Sequence, residues 1–228
     1  MTDSQSFDSH ADSYRSDMHA ALGRLGGESS YYLAEKVRLL KKIVGHHEPR
    51  RILDFGSGVG EAVPFLLEAF SPDQLVCTDE SKESLKRLQN RFPTVSTTEF
   101  DKIPHDSFDL IFVANVLHHI EPRERLELFR TLIQRLRNGG LIATFEHNPY
   151  NPVTRRIVSN CVFDEGVVLL TKADVKSLVD ASQEMEMISS GYCLFVPEPF
   201  KKLNWIEGFM RKLPIGGQHF VIAQRMCD

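Results

Sequence analysis

Short apolar runs alternate with helical segments through most of the chain, and this alternation limits the possible folds more than any other feature. The runs predict strands at 51–55, 74–79, 95–100, 108–115 and 141–146. Helices are predicted, from the spacing of apolar residues, at 61–70, 81–92, 122–137 and 171–182. Each parallel pair of strands needs a crossover connection, which is usually a helix. We therefore predict an α/β fold with a Rossmann-like, doubly wound, mostly parallel sheet and helices on both faces.

The two ends of the chain depart from this alternation. Residues 188–196 and 219–226 are predicted to be strands, separated by a helix at about 200–213. They are expected to add an antiparallel hairpin strand at one edge, which gives a sheet of seven strands. Before the first strand, residues 31–44 have the spacing of an amphipathic helix. The predicted organisation is a helical arm over 1–45, expected to close over a ligand as a lid, and one domain over 46–228, with a substrate loop at 146–170 and the edge hairpin at 185–228.

Composition argues against several classes of protein. The 228 residues are 42% hydrophobic and 25% charged, which suits one large globular core. A net charge of −4 gives no electrostatic reason to expect nucleic acid as a partner. The four cysteines form no C-x-x-C pair, so reduced thiols are expected rather than zinc ligands. The N-terminus is polar and acidic, and no apolar run reaches the roughly 20 residues that span a bilayer, so we predict a soluble, cytoplasmic protein.

A glycine-rich segment, LDFGSGVGE, follows the first predicted strand. It places Asp54 before Gly56, Gly58 and Gly60, which let the backbone turn sharply and let a ligand approach closely. A tight strand-to-helix turn would also explain these glycines. Asp79 adds a second signal, because an acid at the end of the second strand can hydrogen-bond the hydroxyls of a ribose.

Two classes of nucleotide ligand fit such a loop. A dinucleotide site usually has the spacing G-x-G-x-x-G, whereas here the third glycine comes one residue early. The carboxylate of Asp54 would repel a pyrophosphate but would attract an ammonium group. A nucleoside that carries an amino acid is therefore favoured, and the ligand of this kind that we predict is S-adenosylmethionine.

Four segments resemble, in order and at the usual spacing, the motifs of class I S-adenosylmethionine-dependent methyltransferases: ILDFGSGVGE, VCTDES, FDLIFVANVLHHI and LRNGGLIATFE. The resemblance covers about residues 50–146, and it implies S-adenosyl-L-methionine as cofactor and S-adenosyl-L-homocysteine as product. Two positions depart from the family pattern, because Glu80 replaces a commonly apolar residue and both Glu99 and Asp101 could contact adenine. EHNPYNPVTR and later segments resemble a bacterial branch of mostly unassigned substrate. The cofactor-binding residues that the resemblance implies are Asp54, Gly56, Ser57, Gly58, Asp79, Glu80, Phe100, Asp101, Asn115 and Val116.

Histidines lie where an acceptor would meet the methyl group, since ligands of such sheets bind at the carboxyl ends of the strands. His118 and His119 follow the fourth predicted strand, and Glu146 and His147 follow the fifth. His147 is predicted to be the base that deprotonates an alcohol acceptor, with His118 and Glu146 as further catalytic residues. Packing is the simpler interpretation of His119. No metal site is predicted, because clean ligand spacing is lacking. Contacts with the substrate are predicted for Tyr14, Asn148, Tyr150 and Arg155, the last of which could recognise a phosphate or carboxylate.

The predicted function is transfer of a methyl group to a small-molecule acceptor, most simply a hydroxyl of a sugar or secondary metabolite. A nicotinamide-dependent oxidoreductase and a non-catalytic S-adenosylmethionine-binding protein are the alternatives. The segment FKKLNWIEGFMRKL has apolar residues at roughly helical intervals. It could touch a membrane surface peripherally, pack on the sheet edge, or contact a second copy in a homodimer. Neither a transmembrane segment nor a nucleic-acid partner is expected.

Overall fold

A sheet of seven strands lies at the centre of the computed structural model, which describes residues 29–45, 47–161, 164 and 166–227. The strands are β1 (Arg51–Phe55), β2 (Gln74–Thr78), β3 (Ser96–Thr97), β4 (Phe108–Ala114), β5 (Leu136–His147), β6 (Met185–Cys193) and β7 (Gln218–Arg225). Their order in the sheet is β3-β2-β1-β4-β5-β7-β6. β7 is antiparallel to β5 and β6, and the other neighbouring pairs are parallel. The predicted fold class is confirmed, and the antiparallel strand lies between β5 and the edge strand β6.

Helices cover both faces of the sheet. They are α1 (Ser29–Val44), α2 (Val63–Phe70), α3 (Lys82–Arg91), α4 (Arg125–Arg135), α5 (Pro152–Ser159), α6 (Lys172–Asp180) and α7 (Glu207–Met210). Capping side chains explain where two of them begin. The hydroxyl of Ser81 accepts a hydrogen bond from the Ser84 backbone N–H before α3, and Thr171 and Asp174 form a reciprocal capping box at α6.

The sheet separates two hydrophobic cores, because successive residues of a strand point to opposite faces. In β1, Ile52 packs in the core that includes α1, α2 and α3, whereas Leu53 packs in the core that includes α4 and α6. Both side chains are fully buried. This double coverage explains why the central strands are continuous apolar runs rather than alternating ones.

β5 begins five residues earlier than predicted from the sequence, so the predicted start of this strand was wrong. The strand starts at Leu136 rather than Leu141, so the Asn-Gly-Gly segment belongs to the strand instead of separating it from α4. A Cβ atom on Gly140 would lie only 2.9 Å from the backbone oxygen of Phe108. Close pairing of β5 with β4 therefore requires a glycine at this position.

The predicted substrate loop contains a helix, α5, and the start of a helix is also one of the two interpretations that the sequence allows for Arg155. The Asn151 side chain caps α5 by accepting hydrogen bonds from the backbone N–H groups of Val153 at 2.9 Å and Thr154 at 3.1 Å. Pro152 occupies the first turn, where its missing N–H costs nothing. An Asn-Pro pair at this place is thus a helix start rather than an irregular exit from β5.

Two further elements are shorter than predicted. β3 has two residues instead of the six expected over 95–100, because the chain turns into a 3-10 helix at Phe100–Lys102. The predicted helix at 200–213 is a kinked 3-10 segment over Glu198–Ile206 followed by the single turn of α7. Within the described ranges, no helix has the length and apolar character that crossing a bilayer requires.

The strand order reverses at β1, and this places a ligand site. From β1 the chain moves outwards through β2 and β3, and then it crosses to the opposite side of β1 to form β4. Open α/β sheets bind ligands outside the carboxyl ends of the strands at such a reversal. The turns after β1, β2, β4 and β5 are therefore expected to share one cleft.

The docking of α1 on the sheet gives a stability test. Leu40 is fully buried, whereas Leu39 on the same helix is only partly buried. Leu40→Ala should lower the free energy of unfolding by roughly 2–5 kcal/mol, because it removes buried methyl groups and leaves a cavity. Leu39→Ala is the matched control and should cost clearly less. Denaturant unfolding measures both, and equal losses would contradict docking of α1 through Leu40.

Candidate active site

A cleft of about 1120 Å³ opens at the carboxyl ends of β1, β2, β4 and β5. The turns after these strands form one half of its wall, and α1, α5 and residues around the start of β7 form the other half. Its volume exceeds what one small ligand usually occupies, so it can hold a nucleotide-sized molecule beside a second small one. Every residue predicted to bind the cofactor lines this cleft: Asp54, Gly56, Ser57, Gly58, Asp79, Glu80, Phe100, Asp101, Asn115 and Val116.

The glycine loop after β1 is held by β2. The backbone N–H of Gly56 donates to the Thr78 carbonyl at 2.9 Å, and that of Gly58 donates to Oδ2 of Asp79 at 2.8 Å. Gly56 has a φ of +71°, and a Cβ atom there would collide with the side chain of Val116. A Cβ atom on Gly58 would meet nothing within 4 Å. Gly56 is thus required by packing, whereas Gly58 borders open space in the cleft.

Asp54 is a buried acid at the base of this loop. Asp54 is 3% exposed, and its Oδ2 atom has no hydrogen-bond partner among the described residues. Burial, and next the charge of Asp79, raise the pKa of Asp54 to about 7. An unpaired carboxylate oxygen in the wall of a cleft is a site for a cationic or hydrogen-donating ligand group.

The acid after β2 is fixed in position by the backbone around it. The carboxylate of Asp79 accepts hydrogen bonds from the backbone N–H groups of Gly58 and of Ser81, the latter at 2.9 Å. These two bonds orient Asp79 towards the space next to the glycine loop. The geometry suits an acid that receives hydrogen bonds from the hydroxyls of a ribose.

Glu99 and Asp101, the two acids that could contact adenine according to the sequence, both lie in the cleft wall beyond Asp79. Glu99 pairs with Lys102 at 3.0 Å and with Lys82 at 4.0 Å, and its bond to Lys102 holds the pKa of Glu99 below its usual value. Asp101 lines the cleft beside Phe100, whose ring packs against Phe55 at 4.9 Å between centroids. Both acids line the cleft, and Glu99 differs from Asp101 in that two lysines lie close to its carboxylate.

Glu146 ties the end of β5 to the turn after β4. One carboxylate oxygen accepts hydrogen bonds from the backbone N–H groups of Val116 at 3.1 Å and Leu117 at 2.7 Å. The other lies 2.6 Å from Nδ1 of His118. Glu146 is completely buried and does not line the cleft. Burial would raise its pKa, but His118 and the other donors outweigh burial and lower it.

His118 lies between two carboxylates. Nδ1 faces Glu146, and Nε2 lies 3.3 Å from Oδ1 of Asp164. Burial would lower the pKa of His118, but the two acids prevail and raise it to about 9. The ring is therefore a buried imidazolium that donates from both nitrogens.

The same geometry bears on metal binding. Ligand atoms of His118, His147 and Asp164 lie within 4.8 Å of one another, close enough to face one ion. An imidazolium that donates from both nitrogens has no lone pair for a metal. Binding of a metal by His118 would therefore require loss of one of these protons.

His147 lines the cleft beside His118. Its ring centroid is 5.2 Å from that of His118, and Nδ1 is 3.4 Å from Nε2 of Gln218. Gln218 also donates to the side-chain oxygen of Asn115 at 2.9 Å, which connects the ends of β4, β5 and β7. Burial, and next the charge of His118, lower the pKa of His147 to about 3, so its imidazole is neutral.

Three of the four residues predicted to contact the substrate do not line this cleft. Asn148 is fully buried, and its amide donates to the carbonyl oxygens of Pro214 and Gly216, so it holds a loop instead of facing the cleft. Tyr150 is 61% exposed, and Arg155 is exposed on α5; neither lines the cleft. Tyr14 lies outside the described residues. The β5 exit turns away from the cleft at Asn148, because that residue pairs with the loop before β7.

Other residues form this part of the wall, and they were not predicted individually as site residues, although many of them belong to the predicted lid and substrate loop. They are Tyr32, Leu33 and Lys36 of α1, Asn151, Val153, Thr154 and Ile157 of α5 and its cap, Asp164, and Leu194, Phe195, Pro197, Ile215 and Gln218 near β6 and β7. Lys36 had a signal, because it lies in register with the buried residues Leu40 and Val44 at intervals of four. A buried lysine on the apolar stripe of a helix costs stability, so its presence indicates a function for the ammonium group.

A comparison with known proteins matches the part of the chain that carries this site. Residues 53–142 fit the family model described as "Methyltransferase domain". Trans-aconitate 2-methyltransferase from Acidovorax sp. (strain JS42) is 34% identical over 110 residues, which cover 47% of this chain and 42% of that relative. The chain thus aligns with less than half the length of the curated relatives that it matches.

Solved structures extend the likeness over most of the chain. A S-adenosylmethionine-dependent methyltransferase from Mesorhizobium loti has a TM-score of 0.61 at 21% identity, covering 82% of this chain and 96% of that one. The plantazolicin methyltransferase BpumL, in complex with a monoazolic desmethylPZN analog and SAH, has a TM-score of 0.65 at 14% identity, covering 98% and 90%. At these identities the likeness concerns the fold. The likeness shows the Rossmann-like fold, and within it residues 53–142 are similar to the methyltransferase-domain family model.

Proposed function

We propose that the protein transfers a methyl group from S-adenosylmethionine to an oxygen atom of a small-molecule acceptor. The observation that carries the proposal is the buried carboxylate of Asp54, which has an unpaired oxygen beside an open glycine loop. An ammonium group placed there would supply the missing donor and neutralise the acid. The amino group of the methionine moiety of S-adenosylmethionine has this chemistry.

The remaining cofactor contacts follow the cleft wall away from Asp54. Gly56, Ser57 and Gly58 would lie under the methionine moiety, and Asp79 would accept the ribose hydroxyls. The adenine would lie against Phe100, with Asp101 rather than the lysine-paired Glu99 at its edge. Glu80, Asn115 and Val116 complete this half of the cleft.

The acceptor would occupy the other half, where His147 meets the cleft. The imidazole of His147 is neutral, so one ring nitrogen carries a lone pair; release of the 3.4 Å contact between Nδ1 and Nε2 of Gln218 would free this lone pair for the hydrogen of an acceptor hydroxyl. His118 lines the cleft next to it and adds a positive charge. Glu146 touches neither ligand. It is a positioning residue that holds His118 and the turn over Val116 and Leu117.

The reaction would be an in-line displacement at the sulfonium methyl. A lone pair of the acceptor oxygen forms the new O–CH₃ bond, and the S–CH₃ bond breaks with its electron pair going to sulfur. The acceptor proton passes to His147 as the oxygen gains positive character. The protein contributes alignment of the two ligands and exclusion of water from the cleft.

The class of acceptor is supported by the chemistry of the cleft and by a relative. A hydroxyl of a sugar or secondary metabolite fits a neutral histidine, which can accept its proton. The relative named trans-aconitate 2-methyltransferase supports a small organic molecule as acceptor. The predicted lid over 1–45 remains part of the proposal, since α1 already contributes Tyr32, Leu33 and Lys36 to the cleft wall.

A nicotinamide-dependent oxidoreductase is the weaker alternative. A dinucleotide would bring its pyrophosphate to the glycine loop, where Asp54 and Asp79 present two acids. Calorimetry with S-adenosylhomocysteine and with NAD separates the two functions. A protein that binds NAD tightly and does not bind S-adenosylhomocysteine would overturn the proposal.

The role of Asp54 predicts a pH dependence of binding. In the free protein its pKa is about 7, and an ammonium ligand binds the ionised form. The affinity for S-adenosylhomocysteine should therefore fall by about tenfold for each pH unit below 7 and should level off above 7. Asp54→Asn should bind weakly at pH 8 and should lose this slope.

Calorimetry between pH 5.5 and pH 8.5 measures the effect. Asp73→Asn is the matched control, because Asp73 is an exposed acid that pairs with Arg50 outside the cleft. That variant should keep the wild-type profile. A flat profile in the wild type, or the same slope in Asp54→Asn, would remove Asp54 from ligand binding.

The role of His147 predicts a selective loss of turnover. His147→Ala should lower kcat for a hydroxyl acceptor by about 10²-fold, the low end of the usual contribution of a positioned base, because a pKa of about 3 makes His147 a weak base. The affinity for S-adenosylhomocysteine should change little, because the cofactor half of the cleft is untouched. Release of S-adenosylhomocysteine with a panel of sugars, phenols and hydroxy acids provides the assay.

His105→Ala is the matched control for this variant. His105 is exposed in the turn before β4 and lies outside the cleft, so its loss should leave turnover unchanged. Chelation with EDTA should likewise leave turnover unchanged if the histidines work without a metal. Wild-type turnover in His147→Ala would exclude His147 as the base.

A further inference from the structure

Lys36 is a buried cation on the wall of the acceptor half of the cleft. It lies on α1, is 1% exposed, and lines the cleft together with Tyr32 and Leu33 of the same helix. Its position continues the apolar stripe of Leu40 and Val44. A methionine or leucine would satisfy the packing of α1 at this position, so the ammonium group needs another explanation.

Lys36 has neither an ion-pair nor a hydrogen-bond partner among the described residues. The other lysine and arginine side chains of the cleft wall in that part of the chain do have acids: Lys82 lies 4.0 Å from Glu99, and Arg123 lies 3.8 Å from Glu124. Burial of an ammonium group without a counter-charge is unfavourable. We therefore expect the counter-charge of Lys36 to come from a bound ligand rather than from another side chain of the described residues.

The groups around Lys36 do not replace that partner. Glu146 attracts its charge, but that carboxylate already accepts hydrogen bonds from two backbone N–H groups and from His118. Cys193 is also near, but burial raises the pKa of its thiol, so the thiol is neutral. After burial and the charge of His118, the positive charge of Lys36 contributes to lowering the pKa of His147, so the ammonium group lies on the same side of the cleft as the proposed base.

We propose that Lys36 binds a negatively charged oxygen group of the acceptor, so that the acceptor is an acid rather than a neutral alcohol. This inference rests on the proposed methyl transfer, because it concerns the second ligand of the same cleft. A carboxylate or a phosphate would form a charge-assisted bond to Nζ and would place the rest of the acceptor beside His147. The arginine predicted for this task, Arg155, is exposed and lies outside the cleft.

The test compares acids with neutral molecules of the same shape. The protein is loaded with S-adenosylhomocysteine and titrated with 4-hydroxybenzoate, trans-aconitate, citrate and other carboxylic acids, each beside its amide, and with phenyl phosphate and sugar phosphates. At least one acid should bind the wild type about tenfold or more tightly than its amide. The carboxylate and phosphate arms of the panel identify which anion is used.

Lys36→Met keeps the length of the side chain and removes the charge. It should abolish the preference for the acid over the amide, about a tenfold or greater loss in acid affinity, while the amide binds as before. Lys42→Met is the matched control, because Lys42 is exposed on the same helix and its loss changes the net charge equally. That variant should keep the preference.

The outcomes separate this inference from the function on which it rests. If S-adenosylhomocysteine binds the wild type and Lys36→Met equally well but no acid is preferred over its amide, the inference is overturned and the proposed cofactor site stands. The inference is equally overturned if Lys36→Met discriminates acids as the wild type does. If the wild type does not bind S-adenosylhomocysteine, the proposed methyl transfer itself fails.

Discussion

The buried carboxylate of Glu146 organises the site, because it connects two neighbouring strand ends from within. Its hydrogen bonds fix the backbone of Val116 and Leu117 and orient His118. Val116 in turn packs so close to Gly56 that only a glycine fits there. One acid thus affects the shape of the glycine loop on one side and the orientation of His118 on the other. Removing it would leave three unsatisfied donors in a buried place.

The cleft has two halves with different origins. The half proposed for the cofactor consists of turns that directly follow β1, β2 and β4, so the sheet itself positions it. The half proposed for the acceptor is assembled from α1, α5 and the segments around β6 and β7, which lie far apart in the chain. The neutral imidazole of His147 and the cationic side chain of Lys36 both line this half of the cleft. A fold that keeps the first half can therefore change its acceptor by changing the second.

The sequence alone predicted the sheet and the glycine loop, because both depend on local order along the chain. The ten residues that the family resemblance implied for the cofactor all line one cleft. The sequence could not predict contacts that depend on distant segments. Asn148 looked like a substrate residue, but the loop before β7 occupies its side chain. Asp164 reaches His118 across 46 positions, and no local pattern signals that pairing. Lys36 was visible as a cation on an apolar stripe, and only the cleft explains it.

The most direct test of this account is a crystal structure of the protein with S-adenosylhomocysteine bound. The account predicts that the amino group of the ligand hydrogen-bonds Oδ2 of Asp54, that the ribose hydroxyls bind Asp79, and that the sulfur faces the side of the cleft containing His147. A ligand bound with its amino group away from Asp54, or outside the glycine loop, would contradict the assignment of the cleft.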